Sequence, residues 1–424
     1  MKSHHHRLLL LALLGTASLS AQTAPTASAP AKPAAPASFQ EAFTKGKVSL
    51  NARLRYEHVD QDALADAEAL TLRLRLGYTT ASYKGFQASI EGEHIAPLIN
   101  DYFDGTGTNS AGRATIADPE DTNLNQAWLS YTYEKTKGTL GRQKLVLDNA
   151  RFIGDVGWRQ NDQTFDAVVL QDKTFAKTTL TYAYLDRVNR IFDDSGAQPD
   201  WESESHVLNA SYADLPFGTL TAYAYLLDFD ANSAPAVQTA VRNNSTATYG
   251  LSLTGSRPLT KDLKASYRFE YATQTDYGDS ALDYRADYYV AELSAAYKIY
   301  SLTGGYEVLG SDDGLVGFKT PLATMHAFNG WADVFLATPA GGLTDTYVKA
   351  GAKASNSLNL LAAYHFFGTE DGPSQIGQEF NALAVYKLNK QLSFTAKFAK
   401  FWSDQAGAAF NDRTKVWLQA DFSY

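Results

Sequence analysis

The sequence predicts an all-β fold: a transmembrane antiparallel β-barrel of about 18 strands, of the bacterial outer-membrane type. Segments of strict apolar/polar alternation recur along almost the whole chain, most clearly at 48–58 (VSLNARLRYEH), 69–78 (ALTLRLRLGY), 264–271 (KASYRFEY) and 415–424 (KVWLQADFSY). Each is about ten residues long, enough to cross a bilayer as a tilted strand. The pattern repeats without a helical block, which favours a closed barrel over a soluble sandwich. The last segment ends on an aromatic residue, Tyr424, so the terminal strand is the expected handle for barrel-assembly machinery.

Taken in order, the chain opens with the features of a secretory signal at 1–21. Lys2 and Arg7 are positive, Leu8 to Leu14 form a short apolar run, and Ser18 to Ala21 are small. Residues 22–40 read as a Pro/Ala-rich disordered linker, and 41–424 as one barrel. Within the barrel, short connections are expected near 83–85, 134–138, 172–176, 213–218, 256–262, 299–301, 354–357 and 388–391. Long polar connections are expected near 60–66, 98–121, 148–162, 189–203, 231–245, 277–283, 310–342, 370–378 and 404–412. The two sets alternate without a break. Short turns belong on the periplasmic side and long loops outside, so both chain ends lie in the periplasm. Residues 331–337 (WADVFLA) pass for a strand, but adding one makes the number odd. They are therefore placed inside one long external segment, 310–342, which is expected to have its own structure and to fold over or into the barrel mouth.

Composition agrees. There is no cysteine, which excludes disulfides, thiolate metal sites and Cys nucleophiles. Mean hydropathy is −0.28, as expected when only every second strand residue meets lipid. Tyr (25) and Phe (22) suffice for interfacial girdles. The net charge of −9 speaks against nucleic acid as a partner. Outer-membrane lipid and lipopolysaccharide are the expected surroundings, with a monomer as the expected state.

Two stretches are not generic barrel sequence: GRQKLVLDNARFIGDVGWRQNDQTFDA (141–167) and GSDDGLVGFKTPLATMHAFNGWADVFLATPAGGLTDTYVKAG (310–351). Both resemble the outer-membrane alginate export family. The resemblance implies a barrel of about 18 strands and, for its best-understood branch, an arginine-rich lumen that passes an acidic polysaccharide. It departs in one respect: that branch has a longer periplasmic loop that stoppers the pore, and every periplasmic turn assigned here is short.

Alternation assigns the lumen. Val48, Leu50, Ala52, Leu54 and Tyr56 face lipid, so Arg53, Arg55 and Glu57 face inward. Leu70 to Leu76 send Arg73 and Arg75 inward, and Phe86, Ala88 and Ile90 send Glu91 and Glu93 inward. A charge on the lipid face costs about 2–4 kcal/mol at the midplane, which forces this choice. Pairing of Arg73 and Arg75 with Glu91 and Glu93 is expected, leaving Arg53 and Arg55 least compensated. Arg268, Lys349, Lys353 and Lys397 are assigned inward by the same rule, and Arg142 joins them although its strand alternates poorly. Arg151, Asp155 and Arg159 belong to a loop expected to dip into the pore, and Asp312, Asp313, His326, Trp331 and Asp333 to the long loop. Rings of Arg and Lys select anions, and Arg offers bidentate hydrogen bonds to carboxylates. The competing reading is that inward Arg–Glu networks stiffen the wall.

The function expected is a channel for acidic polysaccharide or a small anionic solute. A porin for another solute, or a surface enzyme or adhesin displayed on the barrel, are the alternatives. No catalytic residue, cofactor or metal site is expected. His58, His94, His206, His326 and His365 fall in no nucleophile motif, and DFDAN (228–232) lacks the later residues of a calcium loop.

Overall fold

The computed structural model describes residues 36–106, 110, 112–192, 200–373, 375–405 and 410–424. The signal segment and most of the linker lie outside them. The wall is a closed antiparallel barrel of 18 staves. In chain order these are Lys47–Gln61, Ala67–Thr79, Phe86–Asp101, Asp121–Tyr133, Thr136–Gln143 and Thr164–Asp172. Then come Thr178–Asn189, Trp201–Leu215, Gly218–Leu227, Thr246–Pro258, Leu263–Asp276 and Arg285–Tyr297. The last six are Tyr300–Leu309, Leu343–Lys353, Leu358–Gly368, Gly377–Lys387, Leu392–Ser403 and Arg413–Ser423. Phe229–Asp230 prolongs the ninth stave past a break at Asp228 and keeps the same neighbour. The first and last strands pair from Asn51↔Ser423 to Gln61↔Arg413, which closes the barrel and removes both sheet edges.

Every expected connection is found on its expected side. Turns at one end span two to six residues, from 134–135 to 80–85. At the other end are the long loops, including loop 2 (102–120), loop 3 (144–163) and loop 7 (310–342). Residues 331–337 form no strand, so the even count holds. Loop 7 carries a two-residue-per-arm hairpin, Ser311–Asp312 with Val316–Gly317, and a 3-10 turn, Met325–Ala327.

The outer wall is apolar because the inner one is polar. Leu76, Leu140, Leu251, Leu293, Leu302 and Leu418 stand exposed on the lipid face. Phe86, Tyr131, Tyr133, Tyr297, Tyr300 and Tyr386 ring the short-turn end, and Tyr249, Tyr271, Tyr289, Tyr306, Phe366 and Trp402 the long-loop end. These are the two interfacial girdles that position such a barrel in a bilayer.

The hydrophobic core sits inside the barrel mouth. Phe152 and Ile153 of loop 3 and Phe318, Leu322, Ala332 and Phe335 of loop 7 pack on wall residues Phe165, Tyr288, Phe367, Phe401 and Trp417. Each such side chain contributes about 1.5–3 kcal/mol by leaving water. The loops are stitched together: Gly154 N–H donates to Leu322 O (2.8 Å) and Thr324 N–H to Ala150 O (3.0 Å). A smaller cluster, Val59, Ala67, Ala69, Tyr102, Ala114 and Ile116, ties loop 2 to the first two strands.

The linker reading needs one correction. Residues 39 and 40 begin a helix, Phe39–Thr44, whose N-cap Ser38 accepts from Glu41 N–H (3.1 Å). The Ser cap and the i,i+4 pair Phe39/Phe43 start it there.

Candidate functional site in the barrel mouth

The wall supplies two adjacent arginine pairs. Arg53 and Arg73 lie opposite each other in the register of the first two strands, and Asn51 lies opposite Arg75. Like charges placed so repel and need partners. Arg53 Nε donates to Asp421 (2.8 Å) and Arg55 Nε to Gln419 Oε1 (2.8 Å), with Asp118 of loop 2 at 3.6 Å from Arg55. Arg75 pairs with Glu93, as expected, and with Asp162 at 2.8 Å.

The rest of the expected pairing is overturned. Glu91 lies opposite Gly77 and accepts from Asn125 (2.8 Å) and Gln126 (3.1 Å), not from an arginine. Arg73 lies opposite Ile95 and forms no ion pair among the described residues. Its guanidinium donates to Asn51 Oδ1 (2.5 Å) and Gln160 O (3.2 Å), and its Nε has no acceptor. The least compensated arginine is thus Arg73, not Arg53 or Arg55. The reason is register: Arg75 meets Glu93, which sets Glu91 opposite Gly77 and Arg73 opposite Ile95, so the two Arg/Glu pairs are offset by two residues and one rung coincides.

Loop 3 meets further arginine donors with backbone oxygens, while Arg73 Nε and Arg55 Nη1 have no hydrogen-bond acceptor. Arg53 Nη1 donates to Gly157 O (3.3 Å), Trp158 O (3.2 Å) and Arg159 O (3.2 Å). Arg55 Nη2 donates to Trp158 O (2.5 Å) and Arg75 Nη2 to Gln160 O (3.0 Å). Val156, with φ 51°, makes the turn that presents these carbonyls. The Asp155 side chain stays within the loop, accepting from Gly157 N–H (3.2 Å). Arg159 reaches the opposite way, to Glu57 (3.0 Å) and Asp333 (3.0 Å), and so joins wall, loop 3 and loop 7. Burial disfavours its charge, but Glu57, Asp118 and Asp333 more than offset this and raise its pKa. Burial likewise pushes the Asp162 carboxyl up, and Arg75 and Lys144 outweigh it, holding the group at about 2.

Loop 7 locks onto the same place. His326 Nδ1 lies 2.6 Å from Asp333 Oδ1, and Nε2 lies 2.6 Å from Lys397 Nζ. Its ring stacks on Trp158 at 4.6 Å. Burial lowers the imidazole pKa to about 3, so the ring is neutral: Nδ1–H donates to Asp333 and Nε2 accepts from Lys397. Burial raises the Asp333 carboxyl, yet His326, Lys415 and Arg159 hold it well below the usual carboxylate range. Lys415 Nζ sits 2.7 Å from Asp333, and Lys397 Nζ lies over the rings of Trp331 (3.8 Å) and Trp158 (4.0 Å). Both nitrogens of His326 are committed to this latch, which leaves none to shuttle a proton.

The facing wall is acidic. Glu270, Glu292, Glu307 and Asp345 project from four successive strands, and Glu379 from the next strand but one. Arg268 pairs with Glu270 (2.5 Å), Arg151 of loop 3 with Glu307 (3.0 Å), and His365 with Asp345 (2.9 Å). Glu379 accepts from the N–H groups of Trp331 and Ala332. Gly330, with φ 85°, makes that approach possible, because a Cβ there would collide with the Glu379 carboxylate.

Five expected residues stand outside this cluster. Arg142 pairs with Asp166 (2.8 Å) on the Leu140 side of its strand, away from the buried Gln143, which is where unbroken alternation from the exposed Leu140 puts it. Asp312 and Asp313 lie in the hairpin of loop 7, apart from the His326 latch. Lys349 is inward, over Tyr347 at 4.1 Å, and Lys353 is exposed at the short-turn end of the same strand. Lys415, Trp417, Gln419 and Asp421 belong to the site and were legible from alternation with Val416, Leu418 and Ala420. Asp118, Trp158 and Asp162 lie in loops, where no parity exists to find them. Among the described residues no group of three or more His, Asp or Glu is arranged to hold a metal. Asp230 of DFDAN is engaged by Arg242 at 2.9 Å.

The fold has close solved neighbours. OccAB2 of Acinetobacter baumannii superposes with a TM-score of 0.71 at 14% identity, covering 91% of this chain and 99% of that one. OpdK of Pseudomonas aeruginosa, crystallised with vanillate, gives 0.69 at 13% identity, covering 90% and 99%. A further structure, titled the outer membrane protein OpdK from the same organism, gives 0.66 at 13% identity and covers 89% and 99%. No curated protein matches the chain. The alginate export family matches residues 47–301, which includes the first of the two unusual stretches and ends before the second. More than half of the sequence carries that match, and the chain accordingly belongs to the alginate export family, as an outer-membrane barrel of the porin type.

Proposed function

We propose that the barrel is a channel for carboxylate-bearing solutes, with an acidic polysaccharide of the polyuronate kind as its substrate class. The observation that carries this reading is the arginine quartet Arg53, Arg55, Arg73 and Arg75. Its donors turn to one patch of acceptor oxygens at Gly157–Gln160, and Arg73 forms no ion pair among the described residues. Carbonyl and carboxylate oxygens make the same kind of hydrogen bond to guanidinium, and the carboxylate makes the stronger one. Passage is by diffusion, without catalysis. A smaller anionic solute is the second reading, favoured by loops 3 and 7 packing the mouth.

The test is a planar-bilayer recording of the refolded chain in a salt gradient, with polymannuronate then added to one side. Anion preference with block by the polymer is the expected result. Anion preference without block selects the smaller solute. Replacing the four arginines by Gln is expected to move the reversal potential toward that of an unselective pore while the barrel still folds. An unchanged reversal potential in that variant overturns the lining role.

A further inference from the structure

The helix Phe39–Thr44 lies on the outside of the wall. Tyr78 shares the parity of Leu72, Leu74 and Leu76, so its ring faces lipid, and its hydroxyl donates to Phe43 O. The backbone of the first short turn adds a second tie, Ala81 N–H to Ala42 O (2.9 Å). Ala42 is buried against this rim. Phe39 and Phe43 point away from it, 68% and 48% exposed, with their rings 5.0 Å apart edge to face. Two features then fix what surrounds them. The first strand begins at Lys47, and its exposed Val48 and Leu50 are already on the lipid face. Phe86, Tyr131 and Tyr133 of the neighbouring strands form the girdle at the same short-turn end. The aromatic pair therefore continues an apolar belt that a bilayer already covers. Lys45 stands beside it, paired with Glu41 at 2.7 Å, at the depth where lipid phosphates lie.

We infer that this helix is an interfacial anchor, inserting Phe39 and Phe43 among the phospholipids of the periplasmic leaflet. Six residues are too few to hold a helix in water. The Ser38 cap and the Tyr78 and Ala81 bonds fix one face, and lipid covers the other. Aromatic side chains prefer this interfacial depth, with apolar ring inward and backbone at the headgroups. The anchor does not depend on what passes the lumen.

The absence of cysteine allows single-site labelling. Phe39→Cys, Phe43→Cys, Thr44→Cys and Leu74→Cys, each carrying an environment-sensitive fluorophore, are refolded as the full chain into phosphatidylcholine/phosphatidylglycerol vesicles. Labels at 39 and 43 are expected to match the one at Leu74: blue-shifted emission, quenching by doxyl lipids, and protection from iodide. The label at Thr44 is expected to be quenched by iodide. A Phe39→Trp variant keeps an aromatic ring, and brominated lipid is expected to quench the fluorescence it adds over wild type. The proposal is overturned if 39 and 43 follow Thr44. It is equally overturned if both are shielded from iodide and doxyl lipid alike, which identifies a protein neighbour such as a second copy.

Discussion

The two halves of the lumen are built from one alternating wall yet differ sharply. Toward the long loops, Arg55, Glu57 and Trp417 of the wall are buried under loops 3 and 7, together with Asp118 of loop 2 and Asp333 of loop 7. Toward the short turns, the inward positions include Ser89, Thr139, Thr254, Ser266, Ser294, Thr303 and Thr395, together with Lys264, Lys353 and Lys387, all at least partly exposed. Strand parity selects polarity in both halves. What separates them is burial: a buried ion needs a partner, and the loops supply it, whereas a hydroxyl or a lysine facing water needs none. The mouth is thus a folded core that happens to be polar, and the periplasmic half is a wet vestibule.

The largest expected effect comes from breaking the mouth at its shared carboxylate. Asp333 serves His326, Arg159 and Lys415 at once. Removing one partner of a buried pair costs about 3–5 kcal/mol. Asp333→Ala is expected to lower the urea midpoint and raise open-channel conductance, because loop 7 loses its hold. A midpoint equal to wild type would show that the latch contributes nothing.

A smaller effect is expected from pH. Burial holds the His326 imidazole at about 3, against 6.5 for a free one, so the folded chain binds that proton less readily. The stabilisation is complete above about pH 6.5 and is lost progressively as pH falls toward 3. Hydrogen exchange of residues 322–335 is expected to quicken across that window. In His326→Gln the dependence flattens; a variant with the same profile as wild type contradicts the assignment.

The vestibule provides the least sensitive comparison. Thr303 shares a 2.8 Å hydrogen bond with Ser294 across a wet surface. Thr303→Ala is expected to change stability by less than about 0.5 kcal/mol. Its conductance should match wild type within error. A loss as large as that at Asp333 would erase the distinction between the halves.

The contrast also explains what the sequence could reveal. Barrel closure, sidedness and the alternation of turns and loops were all legible, because lipid on one face and water on the other impose a period of two. The inward direction of Arg53, Arg55, Arg73 and Arg75 followed from the same rule, and so did that of Lys397. Their partners did not. Whether Glu91 or Glu93 meets Arg75 depends on inter-strand register, which parity leaves open. Asp118, Asp162 and the carbonyls of Trp158 and Gln160 come from loops that return into the barrel by tertiary packing. Arg142 misled because its strand, TKGTLGRQ, carries one large apolar side chain, Leu140, to set its phase, and Arg142 shares the side of that residue.

The most direct test of the account shortens loop 7, replacing 320–337 with a brief Gly/Ser linker, and records conductance and reversal potential beside wild type in one salt gradient. The account predicts a larger conductance with the same sign of reversal potential, since the loop narrows the mouth and the arginines on the wall set the selectivity. Unchanged conductance would contradict the claim that the packed mouth limits passage.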